Sequence, residues 1–309
     1  MRDAFVGALT ETAAADERVV ALTADLGVGL FDELARRAPG RFLNVGIAEQ
    51  NLVGIAAGLA YAGKKAVAYS IAPFVTARPN DQVRIAVAAA RADVTLVGVG
   101  AGVAYGALGP THHAIEDLAA MRALPGLTVL TPADPAEAAA ATRAAIEHDG
   151  PVYLRLGKSG EPNVLPTGFP FAIGKAARVR AGGDVTLASC GAMLGETLAA
   201  ADLLARSGVR AGVLHFGTVK PLDEEAVAAA LRTTPLLVTV EEHTILGGFG
   251  GAVAETAAEA GLPVTLRRVG LADTFAEVPG SRSYLLRRHG LDAAAIAATA
   301  GKLVGLRAA

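Results

Sequence analysis

A chain of 309 residues with a single cysteine, Cys190, cannot close an internal disulfide, so packing rather than cross-linking must hold it together. Charge is also scarce. Charged residues are 19% of the chain and the formal net charge is -2, which leaves no basic footprint for nucleic acid and favours small-molecule or protein partners. No apolar run is long enough to span a bilayer. The longest, residues 52–63, stops at Lys64 and Lys65 and reads as a buried helix. The opening stretch MRDAFVGALTETAAADERVV carries an early acid and arginine where a secretion signal keeps an unbroken apolar core, so a cytoplasmic location is expected. Potential metal ligands are dispersed. His148, His215, His243 and His289 are scattered and Cys190 has no second thiol at ligand spacing, so no metal ligand is expected. There is no internal repeat at a fixed period, and alanine richness is explained by helix propensity.

What the chain has in quantity is apolar residues, 52% of the total, enough to fill the cores of two domains. Short β-branched or leucine-rich runs alternate with alanine-rich stretches, the pattern of an α/β fold in which helices cross over parallel strands. Strands are expected over 18–23, 65–70, 93–100, 127–132 and 151–156, with helices over 73–92 and 134–148. Asp134 is placed to cap the second helix, with Pro135 at its first position. Residues 157–175 gather glycine and proline without periodicity, as linkers do. The alternation then resumes in DVTLASCG, RAGVLHFG, LLVTVEEH and PVTLRRVG, with helices near 193–207, 223–232, 249–261 and 292–304. The fold class expected is thus α/β in two domains, each a mainly parallel sheet flanked by helices: residues 1–160, a linker over 161–183, and residues 184–309.

Several residues invite a chemical reading alongside a plain one. Glu49, in NVGIAEQNLVGIAAGLAYAG, enters a segment so apolar that its carboxyl must be paired, protonated or put to use; at a helix start it also suits the positive end of the dipole. Gly54 and Gly58, one turn apart, permit a close approach by another backbone or a partner. GPTHHAIEDL supplies a turn at Gly109 and Pro110, a capping candidate in Thr111, and His112 and His113 in the first turn of an amphipathic helix, where the dipole disfavours protonation. Asp25 follows a strand, as helix caps do. Arg2 and Lys158 are either solvated charges or a pair able to hold a phosphate, and Arg155, at a strand end, suits a structural role.

Taken together, ADLGVG, FLNVGIAEQNLVGIAAGLAYAG, APFVTARPNDQVR and GPTHHAIEDLAAM, in that order and followed by GPVYLRLGK, resemble the carboxyl-terminal half of transketolases. The resemblance runs over essentially the whole chain. VTVEEHTILGGFGGAVAE is similar to the family's carboxyl-terminal domain, whose expected work is dimerisation. The family's diphosphate- and metal-binding domain, with its glycine-aspartate-glycine stretch, has no counterpart in the sequence. The resemblance therefore implies a thiamine diphosphate-dependent transferase split between two chains, with a separate amino-terminal transketolase subunit holding the diphosphate and its magnesium or calcium. It implies a pyrimidine-binding domain over 1–160 and a transketolase carboxyl-terminal domain over 184–309, paired heterodimers, and sugar or sugar-phosphate substrates.

Residue by residue, Glu49 matches the activating glutamate beside the pyrimidine nitrogen, a task for which burial suits a carboxyl by raising its pKa. Phe74 matches the aromatic that stacks on the pyrimidine, and Asp25 a residue near the cofactor. His112 matches the substrate-contacting histidine, with His113 second to it; Arg2 and Lys158 fall where phosphate-binding bases stand. The chain also departs from its relatives. Thr76, Ala77 and Asn80 stand where a further aromatic is frequent, Leu108 replaces an aspartate that reads an acceptor hydroxyl, and Gly100 replaces a phosphate-contacting histidine. A deoxyxylulose phosphate synthase-like enzyme and a 2-oxo acid dehydrogenase beta subunit are the neighbouring alternatives, and a non-catalytic regulatory subunit is the alternative of another class. Retention of Glu49, Phe74 and His112 together disfavours the last.

Overall fold

In the computed structural model, which describes residues 1–308 and the side chains of 1–305, the strands β1 (Val19–Thr23), β2 (Phe42–Asn44), β3 (Lys65–Ile71), β4 (Val94–Val99), β5 (Thr128–Leu130) and β6 (Val152–Leu156) form the first sheet. The second is built from β7 (Ala177–Arg180), β8 (Val185–Cys190), β9 (Ala211–Phe216), β11 (Leu236–Thr244) and β12 (Thr265–Leu271), while β10 (Thr218–Lys220) belongs to neither run in sequence. Six of these strands, β1, β4, β5, β6, β8 and β9, are buried along their whole length. That is why they read as nearly continuous apolar runs rather than as alternations: helices cover both faces of a parallel sheet.

The strand order is β10-β5-β6-β4-β3-β1-β2 in the first sheet and β12-β11-β8-β9-β7 in the second. All neighbours are parallel except β10 with β5 and β7 with β9. β7 falls inside 161–183, the segment read as linker, and it closes one edge of the second sheet. β10 follows β9 in sequence yet pairs with β5, so the later part of the chain completes the sheet of the earlier part. Thr131 tightens this seam: its amide donates to Gly217 and its hydroxyl to the carbonyl of Phe216, while its own carbonyl accepts from Gly191. The apolar core runs through the seam as well, joining Tyr153 and Leu118 to Cys190, Leu214, Phe216 and Phe249.

The helix at Pro135–Glu147 forms as expected, with the Asp134 carboxylate accepting from the Glu137 amide at 2.9 Å. Its other oxygen accepts from Val164 and Leu165, pinning the linker to the first domain. Other expectations need correction. The helix anticipated over 73–92 is broken into Ala72–Thr76, Asn80–Gln82 and a π-helical turn at Val83–Ala89. Pro79, with no amide proton to donate, sits at the break. The segment read as a buried helix, 52–63, falls mostly in the helix Glu49–Tyr61, which is covered on one side only: Leu52, Val53, Ala56 and Ala57 are buried, whereas Asn51, Gly54, Gly58 and Tyr61 are exposed.

Behind the carboxyl ends of the central strands lies a fully buried ion pair. The Arg155 guanidinium, on β6, donates to both oxygens of Asp117 at 2.7 and 3.0 Å, and also to the carbonyls of Ala114 and Glu242 at 2.8 and 3.0 Å. Tyr153 adds a hydroxyl at 2.6 Å. Burial pushes the Asp117 carboxyl up, but the charge and hydrogen bonds of Arg155 outweigh it and hold the group below the ordinary aspartate value. Arg155 therefore has the structural role its position suggested. Arg155→Met should leave that carboxylate buried and unpaired, at a cost on the order of 3–5 kcal/mol. Urea unfolding of the isolated chain measures it, and a loss below about 1 kcal/mol would show that the pair does not anchor the loop.

Candidate active site

In open parallel sheets the chain turns at the carboxyl ends of the strands, and ligands bind in the crevice where the strand order reverses. Here β2 lies on one side of β1 and β3 on the other, so the reversal falls at β1. The residues singled out from sequence gather at that edge. Asp25 follows β1, Glu49 opens the helix after β2, Phe74 lies in the short helix after β3, the segment bearing Leu108, His112 and His113 follows β4, and Lys158 follows β6.

Asp25 is not a helix cap. Its backbone is left-handed (φ 57°), and it exchanges two hydrogen bonds with Asn44: its amide donates to the Asn44 side chain at 3.0 Å, and its carboxylate accepts from it at 2.8 Å. The same Asn44 oxygen accepts from Gly46, so Asn44 ties the end of β1 to the loop that delivers Glu49. Glu49 is 5% exposed, and its carboxylate accepts from Arg78 Nη1 at 2.9 Å. Of the three states open to that carboxyl, this one is paired. Arg78 also lies over the ring of Phe74, with its guanidinium carbon 3.8 Å from the centroid.

Phe74 in turn meets His112 edge to face, the ring centroids 5.1 Å apart, and His112 meets Tyr105 at 6.4 Å. The Lys158 ammonium sits 5.2 Å from the Tyr105 centroid. Glu49, Arg78, Phe74, His112, Tyr105 and Lys158 thus form one continuous row. Burial pushes the Tyr105 hydroxyl up in pKa and the positive charge of Arg2 opposes it. Arg2 follows Met1, whose sulfur accepts from the Gly157 amide at 3.3 Å, so it starts beside the segment that carries Lys158. Arg2 itself is partly exposed and touches Asp3 at 3.3 Å.

The histidines do not start a helix. Pro110–His112 is a single 3-10 turn, His113 is extended, and the helix begins only at Asp117. The dipole argument therefore does not apply to them, and Thr111 caps nothing: its hydroxyl lies 2.9 Å from His112 Nδ1. His113 is 2% exposed, with no partner for either ring nitrogen among the described residues, and burial lowers its pKa. Leu108, by contrast, is 53% exposed.

Tyr105 and Arg78 were not anticipated. A cue for each was present. Arg78 stands one helical turn after Phe74, the spacing at which side chains meet. Gly100 has φ 88°, and a Cβ there would fall 2.1 Å from the Tyr105 ring, so the missing side chain at 100 is room taken by that ring. Among the described residues no group of three histidine, cysteine or acidic side chains is placed to hold a metal, and no helix is long and apolar enough to cross a membrane. Glu49 and Phe74 do fit a flat heterocycle. The guanidinium, itself planar and bearing N–H donors, stacks on one while bonding the other.

Comparison with known proteins bears on the family and the fold. Residues 1–162 match the transketolase pyrimidine binding domain and residues 174–296 the transketolase C-terminal domain. The chain is 43% identical to the 6-deoxy-6-sulfo-D-fructose transketolase subunit SqwH of a Clostridium species, over 95% of this chain and 91% of that one. It is 37% identical to one of the subunits of the apulose-4-phosphate transketolase of Phocaeicola vulgatus, over 98% of this chain and 97% of that one. Among solved structures, a split gene transketolase in an inactive beta4 tetramer superposes with a TM-score of 0.90 at 38% identity, over 99% of this chain and 98% of the other. The chain belongs to the transketolase family, as a subunit of the split, thiamine diphosphate-dependent form whose reaction is transfer of a two-carbon ketol unit.

Proposed function

We propose that this chain supplies the pyrimidine side of the active site, and that a separate amino-terminal subunit supplies the diphosphate site with its magnesium or calcium, the two pairing as a two-plus-two assembly in the cytoplasm. The observation that carries this reading is the row at the strand ends, where a buried acid, an aromatic face and an imidazole follow one another within contact distance. Thiamine diphosphate, when bound, supplies the carbon nucleophile that cleaves and forms the bond next to a carbonyl. Glu49 holds a proton at the pyrimidine nitrogen, Phe74 fixes the ring by stacking, and Asp25 shapes the loop beside it. His112 faces the substrate and moves a proton at the oxygen of the reacting carbon. His113, buried next to it in sequence, is the second candidate for that contact.

The relatives are named for a sulfonated ketose and a phosphorylated one. Arg2 and Lys158, at the end of the row away from Glu49, are suited to a ketose or aldehyde with an anionic terminus of this kind. Leu108 offers an exposed apolar side chain at the same edge. A hydroxyl buried against it would lose water without a replacement partner, a penalty of about 1–3 kcal/mol, so the favoured acceptor is an aldehyde with a less polar neighbouring carbon.

Three outcomes are expected. The purified chain, given thiamine diphosphate and magnesium, should be silent until its partner is added; turnover by the chain alone at the reconstituted rate would defeat the two-chain reading. Glu49→Gln should fold and assemble but lower turnover by about two to four orders of magnitude, the scale of general acid and base groups. A turnover close to that of the wild type would return Glu49 to a helix-end charge. Leu108→Asp should raise the preference for acceptors bearing a 2-hydroxyl over those lacking it by about five-fold to a hundred-fold in kcat/KM. Equal preferences in the two proteins would refute the assigned specificity.

A further inference from the structure

Arg78 is the link in the row between the acid and the aromatic ring. Its backbone lies in the turn before Pro79, outside any helix, and is held there by Gln50, whose side-chain amide donates to the Arg78 carbonyl at 3.4 Å. Its side chain is about half exposed and makes two contacts. One is the hydrogen bond to Glu49, the other the stack on Phe74. A group that satisfies both must be flat, must carry an N–H along its edge, and must sit between the carboxylate and the ring face. A guanidinium meets these conditions, and so does an aminopyrimidine with a proton on its ring nitrogen.

We propose that in the free chain the Arg78 guanidinium stands in for the aminopyrimidine of the cofactor, bridging Phe74 and Glu49, and that cofactor binding expels it into solvent. The inference rests on the assignment of Glu49 and Phe74 to the pyrimidine. Two physical consequences follow. The buried carboxylate keeps a partner at every stage, since one N–H donor leaves as another arrives, so a subunit without its partner carries no unanswered charge in an open crevice. The exchange also sets a threshold, because the cofactor must outcompete a tethered ligand. Because the turn backbone is pinned while the side chain reaches water, release needs only rotation about side-chain bonds.

The test is the affinity of the reconstituted two-chain complex for thiamine diphosphate at saturating magnesium, measured by isothermal titration calorimetry. If Arg78 competes, Arg78→Ala and Arg78→Met should both bind the cofactor more tightly than wild type, by about three- to thirty-fold. Arg78→Lys, which keeps the charge but not the plane, should fall between them and wild type. If Arg78 instead stays on Glu49 and helps to hold the cofactor, the same substitutions weaken binding, and the proposal is overturned. Unchanged affinity in properly assembled Arg78→Ala and Arg78→Met complexes overturns it equally. Wild-type complex that binds no thiamine diphosphate would defeat the cofactor assignment itself, and this inference with it.

Discussion

The guanidinium of Arg155, sealed from water on β6, has to find acceptors where it lies, and those it finds come from two separate parts of the chain, residues 114–117 and residue 242. Asp117 supplies the charge, Ala114 the end of the histidine-bearing segment, and Glu242 a carbonyl from β11 in the second sheet. A cation so enclosed tolerates little displacement, because an arm that moved away would leave a buried charge short of partners. It thereby fixes the segment that presents His112, and fixes it relative to both sheets. Glu242 reinforces the arrangement, its side chain accepting from the Val103 amide and pairing with Arg282. The floor beneath the site is thus electrostatic, although the body of the protein is apolar.

Much of the architecture was legible because burial on both faces leaves a simple trace. β1, β3, β4, β6, β8, β9 and β11 all fall within or close to the runs expected for them, since strands covered by helices have little freedom to be polar. β7 and β10 were not legible. They are short, each pairs antiparallel at a sheet edge, and their placement depends on which open strand lies nearby rather than on their own pattern. The helix Arg2–Ala15 also escaped notice: its apolar residues, Phe5, Val6, Leu9 and Ala13, were weighed only against the pattern of a secretion signal, yet they pack the first domain. At the site, residue types marked Glu49, Phe74 and His112, and the fold brought them into one row. What the pattern did not convey was the local backbone, a 3-10 turn where a helix was expected and a proline break where a helix was expected to continue. Contacts such as Tyr105 against His112 depend on those turns.

The position of the row also explains how such a site can be shared between polypeptides. Every element of it projects from the carboxyl edge of one sheet, so the row is assembled on a single scaffold. Loops carry the side chains and the sheet sets their spacing. One face of the helix that begins at Glu49 is open, with Gly54 and Gly58 bare of any neighbour within 4 Å of a notional Cβ, so another chain can come close to the acid without displacing the core.

The antiparallel strand β10 bears on where such an enzyme can be divided. β5 has β6 on one side and β10 on the other, and β10 arrives only after β9 has been laid down in the second sheet. A gene cut between the two domains would release a first fragment whose β5 presents a row of bare amides and carbonyls, an edge on which strands of other molecules readily grow. It would also part Arg155 from Glu242. A cut between the domains is thus opposed twice, by the pairing of β10 with β5 and by the bond from Arg155 to Glu242.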